Sequence, residues 1–268
     1  MTTSSNYTHI FWDWNGTLLD DVDYCIRTVN LSLGKRDLPL LTKKRYWDIF
    51  RFPIVEYYKD LGFDFEKEPY EDLAEEYCSN YAANNGGLPL RKETKEVLSV
   101  FRSKNLPQII LSASERTVLV DALRMYGIDG YFSDILCTDN NLAEGKIAYG
   151  KRFAESLPEN AKTLLIGDTE HDLETANAIG ADCVLIKGGH SSDRKLESLG
   201  AKAVIGSLHE LYPIVFGRGE KKRTLFTAPV GAAERRSFDL EEAEPKTFAV
   251  RYKAFYDDLK NTNKTEDW

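Results

Sequence analysis

The chain has 268 residues, 42% of them hydrophobic, which suits one large core or a core carrying an inserted domain and excludes the class of disordered chains. Thirty-five basic and 43 acidic residues give a formal charge of −8, which argues against a nucleic-acid groove as partner surface. No apolar run is long enough to cross a bilayer, and the start Met1-Thr2-Thr3-Ser4 lacks the basic and apolar regions of a signal peptide, so no membrane partner and a cytoplasmic location are expected.

Tyr7 to Trp12, rich in aromatic and β-branched residues, predicts a short strand covered on both faces. It stops on Asp13, and Asn15-Gly16 then turns the chain, so that the carboxylate, the amide and the Thr17 hydroxyl converge beyond the strand's carboxyl end. In open α/β sheets ligands bind there. From Val22 to Gly86 apolar residues fall at helical spacing and no strand is evident, which predicts an all-helical insertion entered after Asp20-Asp21 and left through Asn84-Asn85-Gly86-Gly87. Lys92 to Lys104 is an expected helix, Gln108 to Leu111 a strand, and Glu115 to Tyr126 a further helix ending at Gly127. Ser112 follows the strand directly, and Ser114 would cap the next helix. A helix is expected from about Lys146 toward Leu157, with strands at Thr163–Ile166, Cys183–Ile186 and Ala203–Ile205. This alternation predicts a doubly wound, mostly parallel, Rossmann-like sheet.

The expected division is a core of residues 7–21 and 87–217, a helical insertion at 22–86, and a C-terminal extension at 218–268. The extension mixes Lys221-Lys222-Arg223, an acidic run Glu241 to Glu244, and a short amphipathic stretch with Tyr252, Phe255 and Tyr256. Packing back on the core, self-association and disorder are all open for it. Cys25, Cys78, Cys137 and Cys183 are scattered without metal-like spacing, so free thiols in a reducing compartment are expected.

Four stretches carry chemistry: Asp13-Trp14-Asn15-Gly16-Thr17 with Leu18-Leu19-Asp20, Ser112 after a strand, Lys146 after glycine, and Gly167-Asp168 with Asp172 four residues on, before a helix ending at Gly180. In this order they resemble the four motifs of the haloacid dehalogenase (HAD) superfamily, and the position of the insertion is most similar to the phosphoglycolate phosphatase and β-phosphoglucomutase branch. The resemblance implies a helical cap over residues 22–86 and a nucleophile at Asp13. It further implies that Gly16, Thr17, Ser112, Ala113 and Lys146 hold the phosphoryl group. Mg²⁺ would bind Asp13, the backbone carbonyl of Asn15, Asp168 and Asp172. One position departs: the aspartate that serves the family as general acid and base is Asn15 here. The carbonyl survives that change, but proton transfer, commonly worth about 10²–10⁴-fold, does not.

Three functions are therefore open. The first is a hydrolase of small phosphorylated metabolites through an aspartyl-phosphate, with a good leaving group or another proton carrier such as His171. The second is a carbon–phosphorus hydrolase similar to the phosphonatases, with Lys43, Lys44 or Lys59 as Schiff-base lysine. The third is a module of little turnover that binds a phosphorylated ligand or a partner. His171 is expected to be an exposed first-turn residue, and His190, after Gly188-Gly189, a polar loop residue at the rim of the pocket.

Overall fold

A computed structural model describes residues 5–84, 87–138 and 146–217. The expectations for the extension at 218–268, and for Asn85 and Gly86 of the exit hinge, lie outside the described residues.

The elements run β1 (His9–Trp12), α1 (Val22–Gly34), α2 (Lys43–Ile49), α3 (Ile54–Leu61), α4 (Tyr70–Asn84), α5 (Thr94–Ser103), β2 (Gln108–Glu115) and α6 (Arg116–Met125). They continue with β3 (Asp134–Thr138), α7 (Ile147–Glu155), β4 (Thr163–Gly167), α8 (Glu170–Ile179), β5 (Asp182–Ile186), α9 (Asp193–Ser198), β6 (Ala203–Ile205) and α10 (Leu211–Phe216). The six strands form one sheet in the order β3-β2-β1-β4-β5-β6, and every pairing is parallel. The strand order reverses between β1 and β4, which makes the carboxyl ends of those two strands the expected ligand crevice of a doubly wound sheet.

Side-chain alternation along the strands builds the two faces. Ile10, Trp12, Ile110, Leu164, Ile166 and Val184 point to one side, where α5, α6 and α10 pack. Phe11, Ile109, Leu111, Leu165 and Leu185 point to the other, under α7, α8 and α9. Each fully buried Ile, Leu or Phe contributes about 1.5–3 kcal/mol relative to exposure. The polar ends inside this core are satisfied: Trp12 Nε1 donates to Gln108 Oε1 at 3.1 Å, and Gln108 Nε2 donates to the Leu98 carbonyl at 3.0 Å.

The structure corrects the sequence reading at two strands. The strand begun at Gln108 does not end at Leu111. It runs on to Glu115 through a register shift between Leu111 and Glu115, so Ser112, Ala113 and Ser114 lie within β2 rather than after it. The cap of α6 is accordingly Glu115, whose carboxylate accepts from the Thr117 and Val118 amides, and not Ser114. The second correction is β3, a strand for which the sequence raised no expectation. Asp-Ile-Leu-Cys-Thr is short, pairs with β2 alone, and is only half-buried over its first three residues, so it carries little of the apolar signature of the central strands.

Between β1 and the rest of the sheet, α1 to α4 form a helical cap with a hydrophobic cluster of its own, including Ile26, Leu33, Tyr58, Leu61 and Leu73. Among the described residues, no helix is long and apolar enough to cross a membrane. Arg36 ties the first cap helix to the last: its guanidinium donates to Glu68, to Glu76 at 3.1 Å and to the Ser32 carbonyl at 2.9 Å. Hydrogen bonds from Arg36 hold the Glu68 carboxyl below its usual range, and Glu76, despite its partial burial, is lowered by the same partner. Because both folded values are depressed, this stabilisation is fully present above about pH 4.5, the ordinary glutamate value, and is lost as pH falls through the folded values. Arg36→Ala is expected to cost about 1 kcal/mol at pH 7 after discounting for solvent screening. Thermal melts at pH 7 and pH 3.5 check this: the gap between parent and variant should narrow at the lower pH.

Candidate active site

The sheet delivers its carboxylates to the switch point. Asp13 follows β1 directly, and its amide still donates to the Ile166 carbonyl at 2.9 Å, so its backbone is held as part of the sheet. Asp168 follows β4, 1% exposed. Two of its contacts tie distant segments together: Thr17 Oγ1 donates to Oδ1 at 3.1 Å and the His190 amide to Oδ2 at 2.5 Å. Glycine is required where the chain crosses this carboxylate. Gly16 has φ +69°, and a Cβ there or at Gly189 would lie 2.2 Å from Asp168 Oδ2.

Lys146 stands at the N-terminus of α7, 3% exposed, with its ammonium between two carboxylates. Nζ donates to Asp13 Oδ1 at 2.5 Å and to Asp172 Oδ1 at 2.6 Å. Asp172 also closes a capping box at the start of α8: its Oδ2 accepts from the Asp168 and Thr169 amides at 3.1 and 2.9 Å and from the Thr169 hydroxyl at 2.7 Å. Both of its oxygens are thus engaged by the protein. Burial raises the Asp13 carboxyl to about 8, with Lys146 opposing and the charges of Asp172 and Asp168 adding to the rise. For Asp172 the burial is outweighed by Lys146 and the value is lowered.

Asn15 is held at both ends. Its Nδ2 donates to Asp21 Oδ2 at 2.7 Å, and its Oδ1 accepts from the Ser114 hydroxyl at 2.8 Å. Ser114 in turn receives a hydrogen bond from the Ser112 hydroxyl at 3.1 Å. Asp21 also accepts from the Gly16 amide at 2.8 Å, the Tyr81 hydroxyl at 3.1 Å and Cys25 Sγ at 3.3 Å. Asp13, Asn15, Ser112, Ala113, Lys146, Asp168 and Asp172 therefore meet around one cavity of about 250 Å³, whose roof is the cap. Gly16 and Thr17 lie beneath it, against Asp168.

The two histidines depart from expectation. His190, expected as a polar loop residue at the rim, does line the cavity but is 6% exposed: its Nε2 lies 3.3 Å from Asp21 Oδ1 and its Nδ1 is 2.5 Å from the Tyr46 hydroxyl. Burial alone would lower it, but Asp21, Asp168 and Asp13 raise it to about 9. His171 likewise lines the cavity. Phe52 covers its ring at 4.6 Å, burial lowers its pKa, and its Nε2 has no hydrogen-bond partner. Asp21, His190, Tyr46 and Tyr81 were not found from sequence as site residues. The Asp20-Asp21 pair was the sole local hint, because the other contacts depend on how the cap docks.

Carboxylate oxygens of Asp13, Asp168 and Asp172 lie within 4.8 Å of one another, all buried. Lys146 is the single cation contacting them by side chain among the described residues, so the group retains excess negative charge that a hard, oxygen-preferring cation suits. Asp21, Cys25 and His190 are similarly close, but the Asp21 oxygens are already filled by the contacts above, and this second group serves as a hydrogen-bond cluster.

A doubly wound parallel sheet with paired strand-end carboxylates under a helical cap defines a hydrolase of the haloacid dehalogenase type. The chain belongs to the haloacid dehalogenase-like hydrolase family, whose sequence profile matches residues 10–186. Among curated proteins it is similar to a phosphoglycolate phosphatase of Nitrosospira multiformis, 24% identical over 217 residues, covering 76% of this chain and 93% of that one. Among solved structures it is similar to a haloacid dehalogenase-like family hydrolase from Streptococcus pneumoniae, with a TM-score of 0.66 and 19% identity over 80% of this chain and 99% of the other. CbbY from Rhodobacter sphaeroides, solved with xylulose-(1,5)bisphosphate, matches with a TM-score of 0.57 and 16% identity over 76% and 96% of the two chains.

Proposed function

We propose that the protein is a magnesium-dependent phosphatase of small phosphorylated molecules that works through an aspartyl-phosphate on Asp13. Family membership and the curated relative support a phosphatase. The observation that carries the mechanism is the buried ion pair of Asp13 with Lys146 at the switch point. Lys146 favours the ionised form of the nucleophile against the effect of its burial, orients one of its oxygens, and supplies positive charge where phosphoryl oxygens would lie. Ser112 and Ala113 line the place for those oxygens, while the Gly16 amide is taken by Asp21 and the Thr17 hydroxyl by Asp168. Asp13, Asp168 and the Asn15 carbonyl would hold Mg²⁺, with Asp172 fixing Lys146 and the Asp168 loop. Bound there, the ion neutralises charge on the phosphoryl group during transfer. The cytoplasmic location belongs to the same proposal, supported by four free cysteines.

The phosphonatase alternative finds no lysine in place. Lys43 pairs with Asp23 and Lys59 with Glu56, Lys44 is exposed, and none of the three lines the cavity. The test is hydrolysis of a panel of phosphorylated compounds with Mg²⁺ by the parent and by Asp13→Asn. Turnover should fall by about 10⁴-fold or more with the fold retained, and acid-quenched parent should carry phosphate on the peptide containing Asp13. A variant as active as the parent would reject the nucleophile.

A further inference from the structure

We infer that the substrate is an aryl phosphate, the phosphate ester of a phenolic hydroxyl, rather than a small carboxylated ester; this rests on the phosphatase function proposed above. Two independent features of the cavity point to it.

The first is the wall that faces the carboxylates. Among the described residues of the cap, every one that lines the cavity is uncharged, and Tyr46, Phe50, Phe52, Tyr57, Tyr70 and Tyr77 are among them. A carboxylated substrate would bring a second anion into this wall, where no lysine or arginine waits for it, and desolvating that charge without a partner is unfavourable. An aromatic ring instead finds edges and faces to pack against. The space is sufficient: a cavity of ~150 Å³ accepts benzene, and this one, at about 250 Å³, extends over the phosphoryl position as well. The wall also offers polar atoms that nothing in the protein satisfies. Tyr57 is buried and its hydroxyl has no hydrogen-bond partner, and His171 Nε2 under Phe52 has none either. A ring with a polar substituent could satisfy them.

The second feature is Asn15. Its amide is pinned between Asp21 and Ser114 and holds no proton that it can release. An aliphatic alkoxide, whose conjugate acid has a pKa near the ~15.7 of water, needs a proton as it departs. A phenolate, with a conjugate-acid pKa of ~10, does not. In the first step an Asp13 oxygen bonds to phosphorus while the bond from phosphorus to the ring oxygen breaks. The ring oxygen keeps the electron pair and leaves as phenolate, which takes its proton from solvent. Water then attacks the aspartyl-phosphate, the Asp13 carboxylate leaves with its electron pair, and both hydrogens of the water depart on dihydrogen phosphate. No protein acid is required at either stage.

Three esters separate the contributions: phenyl phosphate, cyclohexyl phosphate and phosphoglycolate, assayed with the full chain and Mg²⁺. Phenyl and cyclohexyl phosphate should show KM values within about threefold of each other and at least 10-fold below that of phosphoglycolate. The kcat/KM for cyclohexyl phosphate, which reports the step in which the ring oxygen leaves, should be at least about 100-fold below that for phenyl phosphate. Phe52→Ala should raise KM for phenyl phosphate about 10-fold and change that for phosphoglycolate less than twofold. Phosphoglycolate turned over as well as phenyl phosphate, equal kcat/KM for the two six-membered rings, or equal sensitivity of all esters to Phe52→Ala would each overturn the inference while leaving a phosphatase. Absence of turnover on all three, with no phosphate trapped on Asp13, would overturn the phosphatase function and the inference together.

Discussion

Lys146→Met is expected to lose activity by about 10³-fold and to destabilise the metal-free protein by about 3–5 kcal/mol. The side chain is 4% exposed and lies between Asp13 and Asp172, themselves beside Asp168, so its removal leaves three buried carboxylates without their ammonium. Methionine keeps most of the volume, which confines the effect to charge. Burial already raises Asp13 to about 8 with Lys146 present; without it a larger fraction of the nucleophile is protonated at neutral pH. Urea unfolding and phosphatase assays measure the two effects separately. Added Mg²⁺ should recover more stability in the variant than in the parent, because the cation then meets a larger excess of negative charge. A variant with unchanged stability and activity would show that the ion pair has neither role.

Asn15→Asp is expected to act in the opposite direction. The substituted oxygen would stand where Nδ2 now lies, 2.7 Å from Asp21 Oδ2, and two carboxylates at that separation share a proton instead of both ionising. The Ser114 hydroxyl still donates to the other oxygen and keeps the group oriented. A proton held there at neutral pH is the acid the parent lacks, and hydrolysis of alkyl esters should rise about 10²–10⁴-fold, aryl esters much less. The raised folded-state pKa also predicts a sign for stability: the variant should approach the parent at low pH and fall behind it as pH rises through that value. Rates on paired alkyl and aryl esters, with melts across pH, test both halves. Equal gains on both ester types would place the defect of the parent elsewhere. Because Asn15 precedes Gly16, deamidation on storage produces the same change, and peptide mapping must accompany the rates.

The central strands were legible because each is an apolar run with both faces covered: Ile10-Phe11-Trp12, Leu164-Leu165-Ile166 and Val184-Leu185-Ile186 have no other plausible location. Edge strand β3 was not, since it is only partly covered and its ends are Asp134 and Thr138. Asp13, Lys146 and Asp168 were legible as candidates from local sequence, each next to a strand end, a turn or a helix start, and Ser112 from the apolar run before it. The strand continuing through Ser112 was hidden by its irregular register, which no apolar alternation marks. Nor could sequence yield the Asp21–His190–Tyr46 cluster. Tyr46 and His190 lie 144 residues apart, and each alone has an ordinary neighbourhood. Their burial follows from cap docking, a property of the assembled molecule.

That docking links two events usually treated apart. The Tyr46 hydroxyl meets His190, Trp47 Nε1 donates to the Gly189 carbonyl at 2.9 Å, and the Tyr81 hydroxyl reaches Asp21. Lifting the cap to admit substrate or release phosphate must separate these groups, and the same motion would wet His190 and Asp21 and relax the loop whose amide steadies Asp168. Any movement of the cap that opened the cavity would therefore also change the electrostatic surroundings of Asp13, because the contacts that seat the cap are the ones that bury His190 and Asp21.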